Sequence, residues 1–381
     1  MKARVDNPFV FGEIIDQRHF VDRENDLEEL IRDLADGQKV FLLSPRRFGK
    51  STLVSLALLK LKKQHVRTVT INVSDYADYS QFLQKFSEKI LKSAGPWDRV
   101  KDWAVRFARN VKPEVNVDMQ TGDFSLSLGG KTKADSDAIA EDVFALPEEL
   151  TKAGGFRMAI CLDEFQQIDQ FGGVAVENVL RNQVQRQRQV GYVFAGSQPS
   201  LMDEMLRRGR PFHKAGPRRF LEKIPADAWT KFITDQFRSR GRTITNEAIG
   251  RLLQVADLIP YDVQRVAHEI WDIAESTDTK TIERAEVDEA VMQIVTKDST
   301  YHELSWEQLT VLQRSVLQAL AQRGSKELYS QAVRDQFRLG PASSVQKALQ
   351  LLRNKDILDR YGENYFFIDP MFAVWIRQRN Q

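Results

Sequence analysis

Two clusters of residues carry chemistry that their spacing makes specific. The first is Ser44-Pro45-Arg46-Arg47-Phe48-Gly49-Lys50-Ser51-Thr52, which follows the apolar run Val40-Phe41-Leu42-Leu43 and opens a helix-prone stretch from Lys50 to Lys62. A loop between a strand and a helix can aim backbone N–H groups and the helix N-terminus at a polyphosphate. Gly49 would let the backbone approach the phosphates without a Cβ in the way. Lys50 would bring a mobile positive charge to the β and γ phosphates, and the Ser51 hydroxyl stands where it would ligate Mg²⁺. The ligand this chemistry fits is ATP with magnesium. One position departs from the GxxxxGK[ST] pattern: Ser44 stands where the first glycine is usual.

The second cluster is an acidic pair ending an apolar run, Met158-Ala159-Ile160-Cys161-Leu162-Asp163-Glu164. Asp163 would hold the magnesium through water, and Glu164 would polarise an attacking water as general base. Alone, such a pair could equally be a carboxylate cap on the helix that follows from Phe165. The phosphate loop upstream gives the catalytic reading the greater weight.

Positioning both clusters requires a sheet. Val40–Leu43, Arg67–Val73, Met158–Leu162 and Tyr192–Ala195 read as buried strands, and Phe82, Phe86 and Ile90 recur four apart on a helix over Gln81–Leu91. Strands alternating with helices predict a parallel sheet covered on both faces. Between about Ala94 and Leu146 the pattern breaks. There Val115, Val117 and Met119 alternate, as do Phe124, Leu126 and Leu128, around Thr121-Gly122-Asp123, which predicts an inserted hairpin near 113–129.

The C-terminal part reads differently. From Ala226 to Lys297 the pattern is helical. Gln313–Gln322, Leu328–Phe337 and Pro341–Asn354 then read as three helices, followed by a hairpin over Ile357–Ile368 turning at Gly362-Glu363-Asn364. That order is a winged helix-turn-helix. In its third helix Val345, Ala348 and Leu352 face inward, leaving Ser343, Gln346, Lys347, Gln350 and Arg353 as an outer set suited to a DNA major groove. From Trp306 onward there are 11 Lys and Arg against 7 Asp and Glu, an excess of 4, and the wing tip carries Glu363. This basic signature is modest for phosphate neutralisation, so DNA and a protein partner both stay open for this domain.

Composition narrows the class without naming a chemistry. A chain of 381 residues predicts two or three domains. With 55 Lys and Arg against 53 Asp and Glu, no whole-protein field points to nucleic acid or membrane. One cysteine excludes an intramolecular disulfide framework, and no segment reads as a signal peptide or membrane span, so the expected compartment is the cytoplasm. Cys161, inside an apolar strand, is expected to be a core residue, as are Trp271 and Trp375. His19, His65, His213, His268 and His302 lack metal-ligand spacing.

Taken together the motifs resemble the prokaryotic archaeal ATPase group of P-loop proteins, which lies near AAA+ origin-recognition ATPases and STAND signalling NTPases. The resemblance spans nearly the whole chain. It rests on Asn7-Pro8-Phe9, Phe20-Val21-Asp22-Arg23-Glu24, the phosphate loop, Leu162-Asp163-Glu164-Phe165-Gln166, Phe194-Ala195-Gly196-Ser197, Arg210-Pro211-Phe212 and Ile259-Pro260-Tyr261-Asp262-Val263-Gln264. A Ser-Pro start to the loop is ordinary in that group. The resemblance implies that Val21 and its neighbours line an adenine pocket and that Pro260 packs near the base. It also implies that Ser197 or Gln198 senses the γ-phosphate, and that Arg218 or Arg219 could reach a phosphate in cis or from a neighbouring subunit. Arg46 and Arg47 are left with two readings, as ligand contacts or as partners of acids in the lid.

The expected architecture is an α/β P-loop core over 1–225, a helical lid over 226–300 and a winged helix over 305–381. The expected function is ATP hydrolysis coupled to a conformational switch, with an unidentified protein partner and an oligomer both compatible with it. Two alternatives stand beside it: a non-hydrolysing ATP-gated binding module, and a DNA-binding ATPase of the replication-initiator type.

Overall fold

The computed structural model describes residues 6–13, 20–94, 114–117, 124–127 and 133–379, with side chains described outside 114–138 and 361. The described chain divides into two compact units. A sheet unit contains Arg23–Ser44 and the described parts of Lys50–Leu221. A helical unit contains residues 6–13, 20–22, Pro45–Gly49 and 222–379.

The sheet unit runs α1 (Glu24–Ala35), β1 (Lys39–Leu43), α2 (Lys50–Lys63), β2 (Arg67–Asn72), α3 (Tyr79–Ala94), β3 (Glu114–Val117), β4 (Phe124–Ser127), α4 (Lys133–Gly154), β5 (Met158–Asp163), α5 (Val174–Val184), β6 (Val190–Gly196), α6 (Pro199–Leu206) and β7 (Arg218–Phe220). Five strands form one sheet in the order β2-β5-β6-β1-β7, every neighbouring pair parallel. The inner strands read as apolar runs because they are covered on both faces; β6 is buried at all 7 of its positions, whereas the edge strand β2 alternates. Phe41 of β1 stacks on Phe194 of β6 at 4.8 Å, and Phe165 and Phe212 close on Phe194 at 4.6 and 5.3 Å. These rings pack as one cluster with the strands.

The C-terminal edge of the sheet matters because parallel strands deliver all their C-terminal ends to one side. The order places β6 between β1, which leads into the phosphate loop, and β5, which ends on Asp163. Whatever follows Gly196 therefore emerges beside both.

β3 and β4 pair antiparallel with Val117 opposite Phe124. Met119, Leu128 and the expected turn Thr121-Gly122-Asp123 lie outside the described residues. Within this sheet one strand is additional to the sequence expectation: Arg218 and Arg219 belong to β7, which pairs parallel with β1. A polar edge strand of 3 residues offers no apolar run or alternation to read.

The helical unit continues with α7 (Ala226–Arg238), β8 (Thr243–Ile244), α8 (Asn246–Val255), α9 (Pro260–Ser276), β9 (Thr281–Ile282), α10 (Arg284–Lys297), α11 (Ser299–Glu307), α12 (Val311–Arg323), α13 (Gln331–Gln336), α14 (Ala342–Asn354), β10 (Leu358–Tyr361), β11 (Asn364–Phe367) and α15 (Pro370–Arg379). Its core is one cluster that includes Phe9, Val21, Trp229, Trp271, Trp306 and Trp375. The lid and winged-helix segments thus share a core, and residues 6–13 and 20–22 group with them.

The winged helix itself is α12-α13-α14-β10-β11. α13 starts later than its pattern suggests because the Ser330 hydroxyl accepts from Val333 N–H at 3.3 Å and caps the helix there. α15 carries a continuous buried run from Pro370 to Ile376. Such a run has no 3.6-residue period, so the sequence gives no amphipathic signal for it. Among the described residues, no helix is long and apolar enough to cross a membrane.

Candidate functional site

In the sheet unit the expected site residues converge. Lys50 is the first residue of α2 and is 6% exposed. A buried ammonium needs partners, and its Nζ hydrogen-bonds Asp163 Oδ1 and lies 3.5 Å from Glu164 Oε1. Asp163 Oδ1 also accepts the Glu164 backbone N–H at 3.0 Å. Glu164 leaves the strand in the left-handed region, φ 51° and ψ 41°, so the two adjacent carboxylates do not alternate as strand residues would. Its Oε2 accepts two hydrogen bonds: from Ser197 Oγ at 2.6 Å and from Gln166 Nε2 at 2.6 Å.

Ser197 and Gln166 are 5% and 4% exposed. Gly196 makes room for this arrangement. A Cβ there would fall 2.8 Å from Gln166 Oε1 and 2.4 Å from Met202 Cγ. Gln166 is the residue sequence reasoning left without a role. Its only signal was membership of the Asp163-Glu164-Phe165-Gln166 run, since a donor reaching back two residues needs the turn that Glu164 makes.

Of the remaining expected residues in this unit, Ser44 is buried and its N–H donates to the Gly196 carbonyl at 3.2 Å. Ser51 is exposed, Thr52 is buried, and Gln198 stands at the N-cap of α6. The Ser51 hydroxyl and the Asp163 carboxylate are hard oxygen donors of the kind Mg²⁺ takes, so they fit that ion. Burial, and after it the charge of Asp163, push the Cys161 thiol up, in keeping with a core residue.

Arg218 and Arg219 are both engaged within the unit. Arg218 donates to the Leu206 carbonyl. Arg219 pairs with Glu29 and, at 2.5 Å, with Asp33, fastening β7 to α1.

In the helical unit, residues 45–49 have their own contacts. Gly49 sits at φ +86° and Arg47 at φ +71°. The Arg47 guanidinium lies over the Tyr261 ring at 4.7 Å, 3.5 Å from Asp262 and 3.6 Å from Asp369. The Tyr261 N–H donates to the Arg47 carbonyl at 3.3 Å. Arg46 lies 3.3 Å from Asp356, and Phe48 packs at 6.1 Å from Phe366. Asp262, which faces Arg47, belongs to the expected lid segment, whereas Asp356 and Asp369, which face Arg46 and Arg47, belong to the winged-helix segment. Pro260 is the first residue of α9, and Val21 is buried in the core of this unit.

Asp262 is fully buried, and desolvation raises its carboxyl to about 8 against the opposing charge of Arg47. Nearby, Asp298, His302 and Asp369 bring their ligand atoms within 4.8 Å of one another. Arg265 bonds Asp298 at 2.7 and 2.9 Å, and Met371 N–H bonds Asp369 at 2.9 Å. These carboxylates are satisfied by cations and a backbone donor, which makes the group a charge network. On α14, Ser343, Gln346, Lys347 and Gln350 are exposed, whereas Arg353 is half-buried.

A sequence model described as "Probable winged helix domain" matches residues 299–378. No curated protein matches the chain. Among solved structures, a Walker-type ATPase of Pyrococcus abyssi aligns with TM-score 0.64 at 16% identity, covering 97% of this chain and 99% of that one. The Aeropyrum pernix ORC2 protein in its ADP form aligns with TM-score 0.53 at 12% identity, covering 98% and 97%. The Aeropyrum pernix ORC1 protein in complex with DNA aligns with TM-score 0.50 at 13% identity, covering 95% and 93%. The chain has the fold of the Walker-type and archaeal ORC ATPases, a P-loop parallel-sheet core with a C-terminal winged helix.

Proposed function

We propose that the protein is a Mg²⁺-dependent ATPase whose turnover drives a conformational switch. The observation that carries this reading is the convergence of Lys50, Asp163, Glu164 and Ser197 at one sheet edge, with Glu164 oriented by donors on Oε2. The loop 45–49, Lys50 and Ser51 would cradle the phosphates, and Val21 and Pro260 would flank the base. Mg²⁺, held by Ser51 and through water by Asp163, would neutralise phosphate charge.

Glu164 would take a proton from water as the water oxygen bonds to the γ-phosphorus. The β–γ bridging P–O bond breaks and its electron pair leaves on ADP. Ser197 would hold Glu164 during turnover from a position beside the γ-phosphate. Gln198, the next residue, shares that position at the strand tip.

Arg219 enters the proposal with a condition. A phosphate contact would require release from Glu29 and Asp33, so its ion pairs support a fastening role for β7 within the chain. Equilibrium ATP binding and phosphate release, with and without Mg²⁺, test the reading on wild type and Lys50→Ala. It expects Mg²⁺-dependent turnover in wild type and loss of ATP binding in Lys50→Ala; wild-type protein that binds no ATP would refute it.

A second reading, a DNA-binding ATPase, is supported by the exposed polar face Ser343, Gln346, Lys347 and Gln350 on α14, with Arg353 at its end.

A further inference from the structure

We propose that Gln166 is a positioning residue that, with Ser197, fixes Glu164 so that Oε1 is the oxygen that accepts the proton. The inference rests on the ATPase reading and gives it a residue that reading does not require. Three observations support it. Gln166 is 4% exposed and spends its amide N–H on Glu164 Oε2 at 2.6 Å. Ser197 donates to the same oxygen at the same distance, so Oε2 already accepts two hydrogen bonds. Oε1 is the oxygen that faces Lys50, at 3.5 Å.

A glutamate has three side-chain torsions, and a single donor leaves the carboxylate free to swing about the bond to it. Two donors from different elements, the turn after β5 and the tip of β6, remove that freedom. The orientation of the Gln166 amide follows from the chemistry: an ionised carboxylate accepts only, so Nε2 and not Oε1 must face it. Oε1 of Gln166 points instead toward Gly196 and has no hydrogen-bond partner among the described residues. A buried amide that leaves its oxygen unsatisfied while donating to Glu164 is poorly used as core filling. It is well used as a fixed donor.

The experiment compares Gln166→Met, which keeps the buried volume and loses the donor, with Gln166→Ala, in wild-type and Glu164→Gln backgrounds. Phosphate release and ATP affinity are measured for each, with melting temperature as the check on folding. Gln166→Met should lower kcat roughly tenfold, equivalent to about 1.4 kcal/mol, with ATP affinity changed less than about twofold. In the Glu164→Gln background the same substitution should leave the residual rate unchanged within about twofold, because the group it positions has lost its base function. An unchanged kcat in Gln166→Met overturns the proposal. So does an equal loss in the Glu164→Gln background, which would place the action of Gln166 elsewhere. A wild type without turnover removes the ATPase reading and this role with it, and is read separately from the variants.

Discussion

Arg47 lies 3.5 Å from Asp262, a carboxylate with no exposed surface and, among the described residues, no hydrogen-bond partner on either oxygen. The pair joins residues 45–49 to the first turn of α9 within the helical unit. Burial raises the Asp262 carboxyl to about 8, so near neutral pH the proton stays on and Arg47 is balanced mainly by Asp369 at 3.6 Å. Desolvation of Asp369 is overcome by the His302 hydrogen bond and by Arg47, which hold its carboxyl below the usual range.

This arrangement predicts a pH-dependent stability. Unfolded, Asp262 would titrate near 4; folded, it holds its proton up to about 8. Between those values the native state binds the extra proton, so the contribution of Asp262 to stability falls as pH rises and levels off above 8. Asp262→Asn removes that dependence. Denaturant unfolding should find the variant close to wild type at pH 5 and more stable at pH 8.5, by about 2–5 kcal/mol. A stability difference that does not change with pH would contradict a raised Asp262.

Arg219 makes a contrasting prediction. Its guanidinium pairs with Glu29 and Asp33 of α1, both in the sheet unit. Arg219→Ala should lower the melting temperature by about 2–5 °C while ATP turnover per folded molecule stays within about threefold. A large loss of turnover with no change in melting would return Arg219 to the phosphates.

Cys161 lies in β5, two residues before Asp163, and burial pushes its thiol up. A thiol-reactive disulfide reagent should label the native protein at least about a hundredfold more slowly than the unfolded chain. Fast native labelling would mean that β5 opens readily at the site.

For the DNA reading, α14 supplies the test. Duplex DNA should produce a mobility shift that weakens as salt rises, and Lys347→Ala with Arg353→Ala should weaken it at every salt concentration. Arg353 is half-buried and its charge acts on Asp359, so Lys347→Ala should account for most of the loss. A wild type that shifts no duplex at low salt would leave α14 as a surface for a protein partner.

Much of this architecture was legible because the signals were local. The phosphate loop has its residues contiguous between an apolar strand and a helix, and the acids follow their own apolar strand directly. β1, β5 and β6 were readable as buried runs for the same reason, and β2 from its β-branched residues. What stayed hidden depends on the third dimension. β7 exists because a polar tripeptide finds the free edge of β1. Gln166 acquires a role only through the left-handed turn at Glu164 and the missing Cβ at Gly196. The partners of Arg46 and Arg47 lie more than two hundred residues away in sequence, at Asp262, Asp356 and Asp369, and no spacing rule reaches that far. The shared core of lid and winged helix was hidden too, since both patterns are helical and neither says which faces meet.

Glu164, held on Oε2 by Ser197 and Gln166, is the proposed base of an ATPase. Steady-state phosphate release at saturating ATP and Mg²⁺, compared between wild type and Glu164→Gln, tests it most directly. Wild type should turn over ATP, and Glu164→Gln should lose at least about a hundredfold, with ATP affinity retained within about threefold. Glu164→Gln that turns over ATP at the wild-type rate would contradict it.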